Sequence, residues 1–353
     1  MSAVIDLGTI DSIGDLQLER GTIYRCRVSV GFTASGPATI PVVIMCGASK
    51  GPTVGMTAGV HACEYIGQFA LKELVRRIDP ADLSGELRIS PCINSYALDL
   101  RHSFYTPIDG KNINELFPGD AFGGFAERVA WVIQKEFIEG NAAYLDLHSG
   151  DLFEEVPLHV VAPVTGNVKT DEASKQLAGC FDIPILNMMG AGIDEIEERD
   201  EKGRVAWRGL DVMRNNVGSA ALSGVPAVQL EVGGGGRLDT ALVAMEVDGL
   251  ENLLRHLGML EGSSVAYEHS ETVFGMYVVA SDLGGHFEPA VEPGSKVEKG
   301  SMLGRYTDVF GTHLGEIYSP LDGIVLMQFT TPVRNSGEPC CIIGLSQHPE
   351  EIT

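Results

Sequence analysis

The chain has 353 residues and a formal net charge of −23, with 48 acidic against 25 basic residues. That balance repels phosphate backbones and excludes the basic face a nucleic-acid binder needs. Its 44% hydrophobic and 21% charged residues are ordinary for a globular protein, its length suits two domains, and no apolar run reaches the roughly 18 to 20 residues that span a bilayer. The N-terminal stretch MSAVIDLGTIDSIGDLQLER is acidic and lacks a basic start followed by an apolar core, so it does not read as a secretory signal. The seven cysteines are odd in number and several sit in apolar runs, which predicts buried thiols and a cytoplasmic protein. Cys340 and Cys341 are adjacent and read as packed strand residues in preference to a redox pair.

In chain order, residues 21–33 and 38–46 alternate or run apolar between Gly and Pro signals and predict a hairpin. Residues 53–60 predict a buried strand that turns at His61 into a helix over 64–78. Ile66, Phe69, Ala70, Leu74 and Ile78 recur there at helical spacing. A strand over 87–94 and an amphipathic helix over 122–140 follow. Then come strands over 142–147 and 157–163, helices over 171–181 and 214–224, a strand over 226–232 and a long helix over 239–260. Strands alternating with helices predict an α/β unit, a mixed and mostly parallel sheet with helices on both faces. In such sheets the site lies at the carboxyl ends of strands.

After about residue 265 helical periodicity stops, and short β-like runs alternate with Gly, Pro and Asp turns. We read a catalytic domain over 1–265 and a small all-β domain over 266–353. The pattern Pro-Gly-x-x-Val-x-x-Gly followed by Ser-Pro-x-Asp-Gly resembles the barrel-sandwich hybrid of biotinyl and lipoyl carriers. Residues 301–320 hold no Lys, so the likeness is architectural and carries no swinging arm.

Three short segments supply metal-binding chemistry. His61 and Glu64 sit three apart at a strand-to-helix turn, His148 closes the run YLDLH, and Glu231 closes PAVQLE. Each alone has a bland reading: an H-x-x-E at a solvated helix start, where an acid is favourable anyway, or a buried His bonded to backbone. Together, two nitrogens and one carboxylate make a three-ligand zinc set that leaves a position open. A separate carboxylate is what such a site needs as a base. Asp146 lies two residues before His148 on the same strand face, placed to hold the imidazole from behind. Ser149 and Asp151 lie close by without an assignable role. Glycines 233–236 allow close backbone approach to a ligand.

The joint pattern of strand–H-x-x-E–helix, strand–D-L-H-S and strand–Glu-Val-Gly-Gly resembles the succinylglutamate desuccinylase/aspartoacylase family, over about residues 20–348. The resemblance implies a zinc-carboxypeptidase-like fold with one zinc on His61, Glu64 and His148. It implies that Glu231 activates the zinc-bound water and then protonates the leaving amine. It implies that Arg101 polarises the scissile carbonyl and that Asn114, with Asn112 in the N-x-N segment, binds substrate. Where the family carries Arg after N-x-N, paired with a substrate carboxylate, this chain has Glu115. Arg214, Arg204 and Arg208 are the candidate replacement cations, and each also reads as a solvated residue.

The expected activity is hydrolysis of the amide of a small N-acylated amino acid or amine. The alternatives are a zinc metallocarboxypeptidase on peptides and a non-catalytic metal-binding protein. No membrane partner is expected, and small-molecule hydrolases of this size are often closed homo-oligomers.

Overall fold

The computed structural model describes residues 3–190, 197–199, 205–209 and 213–347. A ten-stranded mixed sheet forms the body. Its strands are β1 (Val4–Ile10), β2 (Thr22–Thr33), β3 (Gly36–Cys46), β4 (Ser49–Ala58), β5 (Ser84–Ser90), β6 (Ala143–His148), β8 (His159–Val164), β9 (Ile185–Gly190), β12 (Ala227–Glu231) and β13 (Glu271–Phe274). They lie in the order β1-β2-β3-β5-β4-β6-β12-β8-β9-β13. The predicted β2–β3 hairpin is antiparallel. At the centre, β4, β6 and β12 run parallel, so their carboxyl ends, and the residues that follow them, meet at one edge.

The helices are α1 (Tyr65–Arg77), α2 (Ser95–Leu100), α3 (Phe125–Ile133), α4 (Val168–Ala178), α5 (Asn216–Leu222) and α6 (Thr240–His256). Alternate residues of the central strands feed two cores. Leu145, Leu147, Val228 and Leu230 pack with α1 and α6, whereas Tyr144, Val161 and Ala227 pack with α3 and α5. Truncating a fully buried member such as Leu74 to Ala costs about 2–5 kcal/mol. Gly67 lets α1 lie directly on β6, because a Cβ there would collide with Leu147. Phe69, expected on the apolar stripe, falls off it and is 40% exposed, with the Lys72 ammonium 3.9 Å over its ring. The helix expected over 122–140 starts at Phe125 and ends in a π-helical turn over Gln134–Ile138.

Two antiparallel sheets complete the fold. The seven-stranded one contains β7 (Glu154–Glu155), β10 (Glu197–Arg199), β11 (Val205–Gly209), β14 (Met276–Ala280), β16 (Lys296–Val297), β19 (Gly323–Phe329) and β21 (Pro339–Leu345). The four-stranded one contains β15 (Gly285–Pro289), β17 (Met302–Thr307), β18 (His313–Tyr318) and β20 (Val333–Arg334). Cys340 and Cys341 are buried free thiols on β21. The two regions exchange strands: β13, past residue 265, pairs with β9 of the main sheet, while β7 pairs with β19 and β11 with β14. Among the described residues, no helix is long and apolar enough to cross a membrane.

Candidate active site

His61 follows β4, Glu64 is the N-cap residue of α1, and His148 closes β6. All three are buried, and one ligand atom from each lies within 4.8 Å of the others. Glu64 spans the pair: its Oε1 is 2.7 Å from His61 Nδ1 and its Oε2 is 2.9 Å from His148 Nδ1. The Ser149 backbone N–H also donates to Glu64 Oε2.

The far nitrogens are held by other groups. His148 Nε2 donates to Asp146 Oδ2 at 2.7 Å, and His61 Nε2 lies 3.3 Å from Asn112 Oδ1. Both imidazoles therefore turn Nδ1 inward, a tautomer fixed by outer partners in the manner of metal-ligating histidines. Asp146 is fully buried and also accepts from Asn216 Nδ2 and Thr57 Oγ1, each at 2.6 Å. Thr57 in turn meets the Tyr144 hydroxyl at 2.5 Å.

The three residues set one another's charge. Burial disfavours charge on Glu64, but His148 and His61 overcome it and hold its carboxyl well below the usual range. Burial likewise opposes charge on His148, yet Glu64 and Asp146 outweigh it and raise its pKa well above the ordinary value. The bare cluster thus gathers positive charge around one carboxylate. Two inward nitrogens and a carboxylate oxygen, all buried, fit a metal ion with an open position.

Glu231 closes β12, and its register partners are His148 on β6 and His159 on β8. Residues directly opposite on paired strands share a sheet face. His148, Glu231 and His159 therefore form a row across three strands, on the face that carries α3 and α5. Gln229 Nε2 donates to Glu231 Oε1 at 2.7 Å, and Asn215 Nδ2 donates to Gln229 Oε1. Burial is the main reason the Glu231 carboxyl is raised, to about 7.

The row opens onto a cavity of about 190 Å³. Part of its wall is apolar and comes from the C-terminal strands and their flanks: Met276, Leu326, Met327 and Ile342. Glu154 and His159 also line it. Burial raises Glu154 to about 8 and lowers His159 to about 4.

The sequence-derived substrate residues divide. Asn112, Asn114 and Glu115 line the cavity. Asn112 caps the 3-10 turn Ile113–Glu115 and donates to Glu115 Oε1 at 3.0 Å. Lys111, four residues before Glu115, pairs with Glu127. Arg101 is exposed and is not among the lining residues. It ends α2 in a left-handed conformation, φ 50°, and the chain then loops so that Phe104 reaches the cavity, its ring centroid 5.1 Å from that of His61. Arg214 is exposed too, holding the loop through its carbonyl, which accepts from Phe117. Arg208 is exposed on β11, and Arg204 lies outside the described residues.

Asp151 acquires a role. Its carboxylate accepts from Ser103 Oγ and from the N–H of Phe104, a residue at φ +54°, and so fixes the loop that aims Phe104. The glycines after Glu231 serve the chain itself: a Cβ on Gly234 would collide with the Glu154 carbonyl, and Gly235 N–H donates to that carbonyl.

Residues 50–257 match the family model described as the succinylglutamate desuccinylase/aspartoacylase catalytic domain. The chain belongs to the succinylglutamate desuccinylase/aspartoacylase family. It is 26% identical over 331 residues to the N-alpha-acetyl-L-2,4-diaminobutyric acid deacetylase of Halomonas elongata, covering 91% of this chain and 90% of that one. A succinylglutamate desuccinylase/aspartoacylase from Rhodobacter sphaeroides shares the fold at a TM-score of 0.79, with 22% identity, 96% of this chain and 100% of that one. The product-bound ectoine utilization protein EutE (DoeB) from Ruegeria pomeroyi does so at 0.78, with 24% identity, 94% of this chain and 98% of that one. As a family member the chain is a deacylase-type hydrolase for small acylated molecules.

Proposed function

We propose that the chain is a zinc-dependent amidohydrolase that releases the amine from a small N-acylated amino acid or amine. The observation that carries this is the register of His148 beside Glu231, which sets a buried two-His, one-Glu cluster next to a separate carboxylate in one cavity. His61, Glu64 and His148 would hold the ion. When bound, zinc supplies Lewis acidity and lowers the pKa of a coordinated water to about 7.

Glu231 takes a proton from the attacking water and delivers it to the departing nitrogen. Water's oxygen bonds to the carbonyl carbon, the C–N bond breaks, and the products are a carboxylate and an amine. Its burial-raised pKa suits both halves of that transfer, and Gln229 keeps the carboxylate oriented. Asn112, Asn114 and Glu115 face the substrate. Arg101 and Arg214 are exposed and do not line the cavity, although the Arg101 charge acts on Cys63 and Tyr65 beside Glu64.

The apolar wall and the small cavity favour this reading over a carboxypeptidase. About 190 Å³ is below the roughly 300–1,000 Å³ of drug-sized sites. The activity named for the Halomonas relative, deacetylation of an N-acetylated diamino acid, is of the same kind.

Elemental analysis should find about one zinc per chain, and the loaded protein should release free amine from a panel of N-acyl amino acids. Release of C-terminal residues from peptides in its place would make the protein a carboxypeptidase. Stoichiometric zinc with no hydrolysis of either class would make it a binding protein.

A further inference from the structure

Glu231 stands at one end of a chain of hydrogen bonds whose other end is the first turn of α5. Gln229 Nε2 donates to Glu231 Oε1 at 2.7 Å, and Asn215 Nδ2 donates to Gln229 Oε1 at 3.1 Å. Asn215 is the N-cap residue of α5, and its Oδ1 accepts from the Gly218 N–H at 2.7 Å. Both amide side chains are buried in the cavity wall.

The polarity of this chain is forced from both ends. A backbone N–H can only donate, so the Asn215 atom that meets Gly218 is its oxygen, and the amide nitrogen points the other way. That nitrogen needs an acceptor, which turns Gln229 Oε1 toward Asn215 and Nε2 toward Glu231. An ionised carboxylate can only accept, so the far end agrees. A glutamine alone can present either end of its amide to a neighbour, and Asn215 removes that choice. The start of α5 is itself fixed. The next residue, Asn216, donates to Asp146 Oδ2 at 2.6 Å, and the carbonyl of Arg214 accepts from the Phe117 N–H.

The same chain tells the two oxygens of Glu231 apart. Gln229 occupies Oε1, whereas among the described residues no donor reaches Oε2. We infer that Asn215 is a positioning residue: acting through Gln229 it keeps a donor on Oε1, so that Oε2 is the oxygen that takes the proton from water and returns it to the leaving nitrogen. The inference rests on the deacylase reading for the reaction and adds the atom that carries the proton and the residue that selects it. In the first half an O–H bond of water breaks and one forms at Oε2. In the second half that bond breaks as the departing nitrogen takes the proton. Oε1 keeps its hydrogen bond throughout, because the carbonyl oxygen of a protonated carboxyl still accepts.

Asn215→Asp tests this at nearly constant shape. Aspartate caps a helix as well as asparagine does, and the positive end of the helix keeps it ionised, so the melting temperature should not fall. The new carboxylate offers Gln229 an acceptor where it had a donor. Gln229 should then turn over and aim its own oxygen at Glu231, which loses its donor. In the zinc-loaded protein, kcat on N-acyl amino acids should drop roughly ten- to a hundredfold, the scale of one charge-assisted hydrogen bond, with KM within about threefold of wild type. Zinc content should stay at that of wild type. A loss in KM with kcat intact would make Asn215 a substrate contact and overturn the inference.

Gln229→Met supplies a second test. With that amide gone, adding Asn215→Asp should change kcat by less than about twofold. Losses that multiply would show that the aspartate acts without Gln229, and the inference would fall. The orientation is also readable without catalysis, from neutron structures in which the deuterated amide of Gln229 is visible. It should face Glu231 in wild type and position 215 in Asn215→Asp. An amide nitrogen still facing Glu231 in that variant would refute the inference whatever the protein hydrolyses. The expected turn of Gln229, in a zinc-loaded protein that cleaves no acyl compound, would sustain the positioning of Glu231 and sink the deacylase reading.

Discussion

Asp146→Asn isolates the contribution of the residue behind His148. The carboxylate is fully buried and accepts three hydrogen bonds, from His148 Nε2, Asn216 Nδ2 and Thr57 Oγ1, at 2.7, 2.6 and 2.6 Å. An amide in the same place must point its NH₂ somewhere. Toward Oδ2 it would face two donors, His148 and Asn216. Toward Oδ1 it faces the Thr57 hydroxyl, which can rotate to accept, so that orientation wins. His148 then keeps an acceptor but a neutral one. Charge-assisted hydrogen bonds are worth about 1.5–3 kcal/mol and neutral ones about 0.5–1.5, so the loss is about 1–2 kcal/mol. At about 1.4 kcal/mol per tenfold, zinc affinity should fall roughly 5- to 30-fold, overlapping the lower end of the about 10–100-fold seen for such outer partners. Asp146→Ala strands all three donors beside a void and should bind far more weakly still. Competition with a chromophoric chelator measures the affinity, and a thermal melt confirms the fold. Zinc binding within twofold of wild type in Asp146→Asn would refute the argument that this carboxylate sets the ligand.

Three further outcomes are expected. His148→Ala should lose both metal and activity, and full zinc occupancy by elemental analysis would remove it from the ligand set. Glu231→Gln should lower turnover by at least about 10²-fold with zinc retained; loss of metal, with activity returning in excess zinc, would make Glu231 a ligand. Glu246 is fully buried on α6 with neither carboxylate oxygen partnered among the described residues, and burial, aided by the Glu231 charge, holds its pKa well above the ordinary 4.5. The unfolded chain releases that proton above about 4.5 while the native one keeps it, so stability should fall as pH rises from there to the native pKa. Glu246→Gln should flatten that slope in melting temperature against pH, and an unchanged slope would show that other groups cause it.

The parts legible in the sequence were those fixed by local pattern. His61 and Glu64 are three residues apart at a turn, and both His148 and Glu231 end apolar strands, so period and position placed them at one sheet edge. Asp146 was legible for the same reason, two residues from His148. Gln229 bears the same relation to Glu231 and was readable by that rule. The loop after α2 was not legible: a left-handed turn at Arg101 leaves that side chain exposed and brings Phe104 to the cavity. Glu154 and His159 left no such signal. Glu154 enters the cavity through pairing of β7 with β19, about 170 positions away in sequence, and His159 through antiparallel pairing of β8 with β12. Non-local register of that kind is set by the assembled sheet and cannot be read from the period of either segment.

The C-terminal strands belong to the chemistry as much as to the architecture. Met276, Leu326, Met327 and Ile342 form the apolar part of the cavity wall and lower the polarity around Glu231. Burial is the first cause of that residue's raised pKa, and a carboxylate needs such a pKa to take a proton from water and give it to an amine near neutrality. Size selection and base tuning therefore share one wall. A polar substitution there, such as Leu326→Asn, would hydrate Glu231 and lower its pKa while widening the pocket. Glu231 would then take the proton of the attacking water less readily, so kcat should fall and the acidic limb of its pH profile should move to lower pH. The exchange of strands between the two regions, β13 into the main sheet and β7 and β11 into the C-terminal one, ties that wall to the sheet that carries the metal ligands.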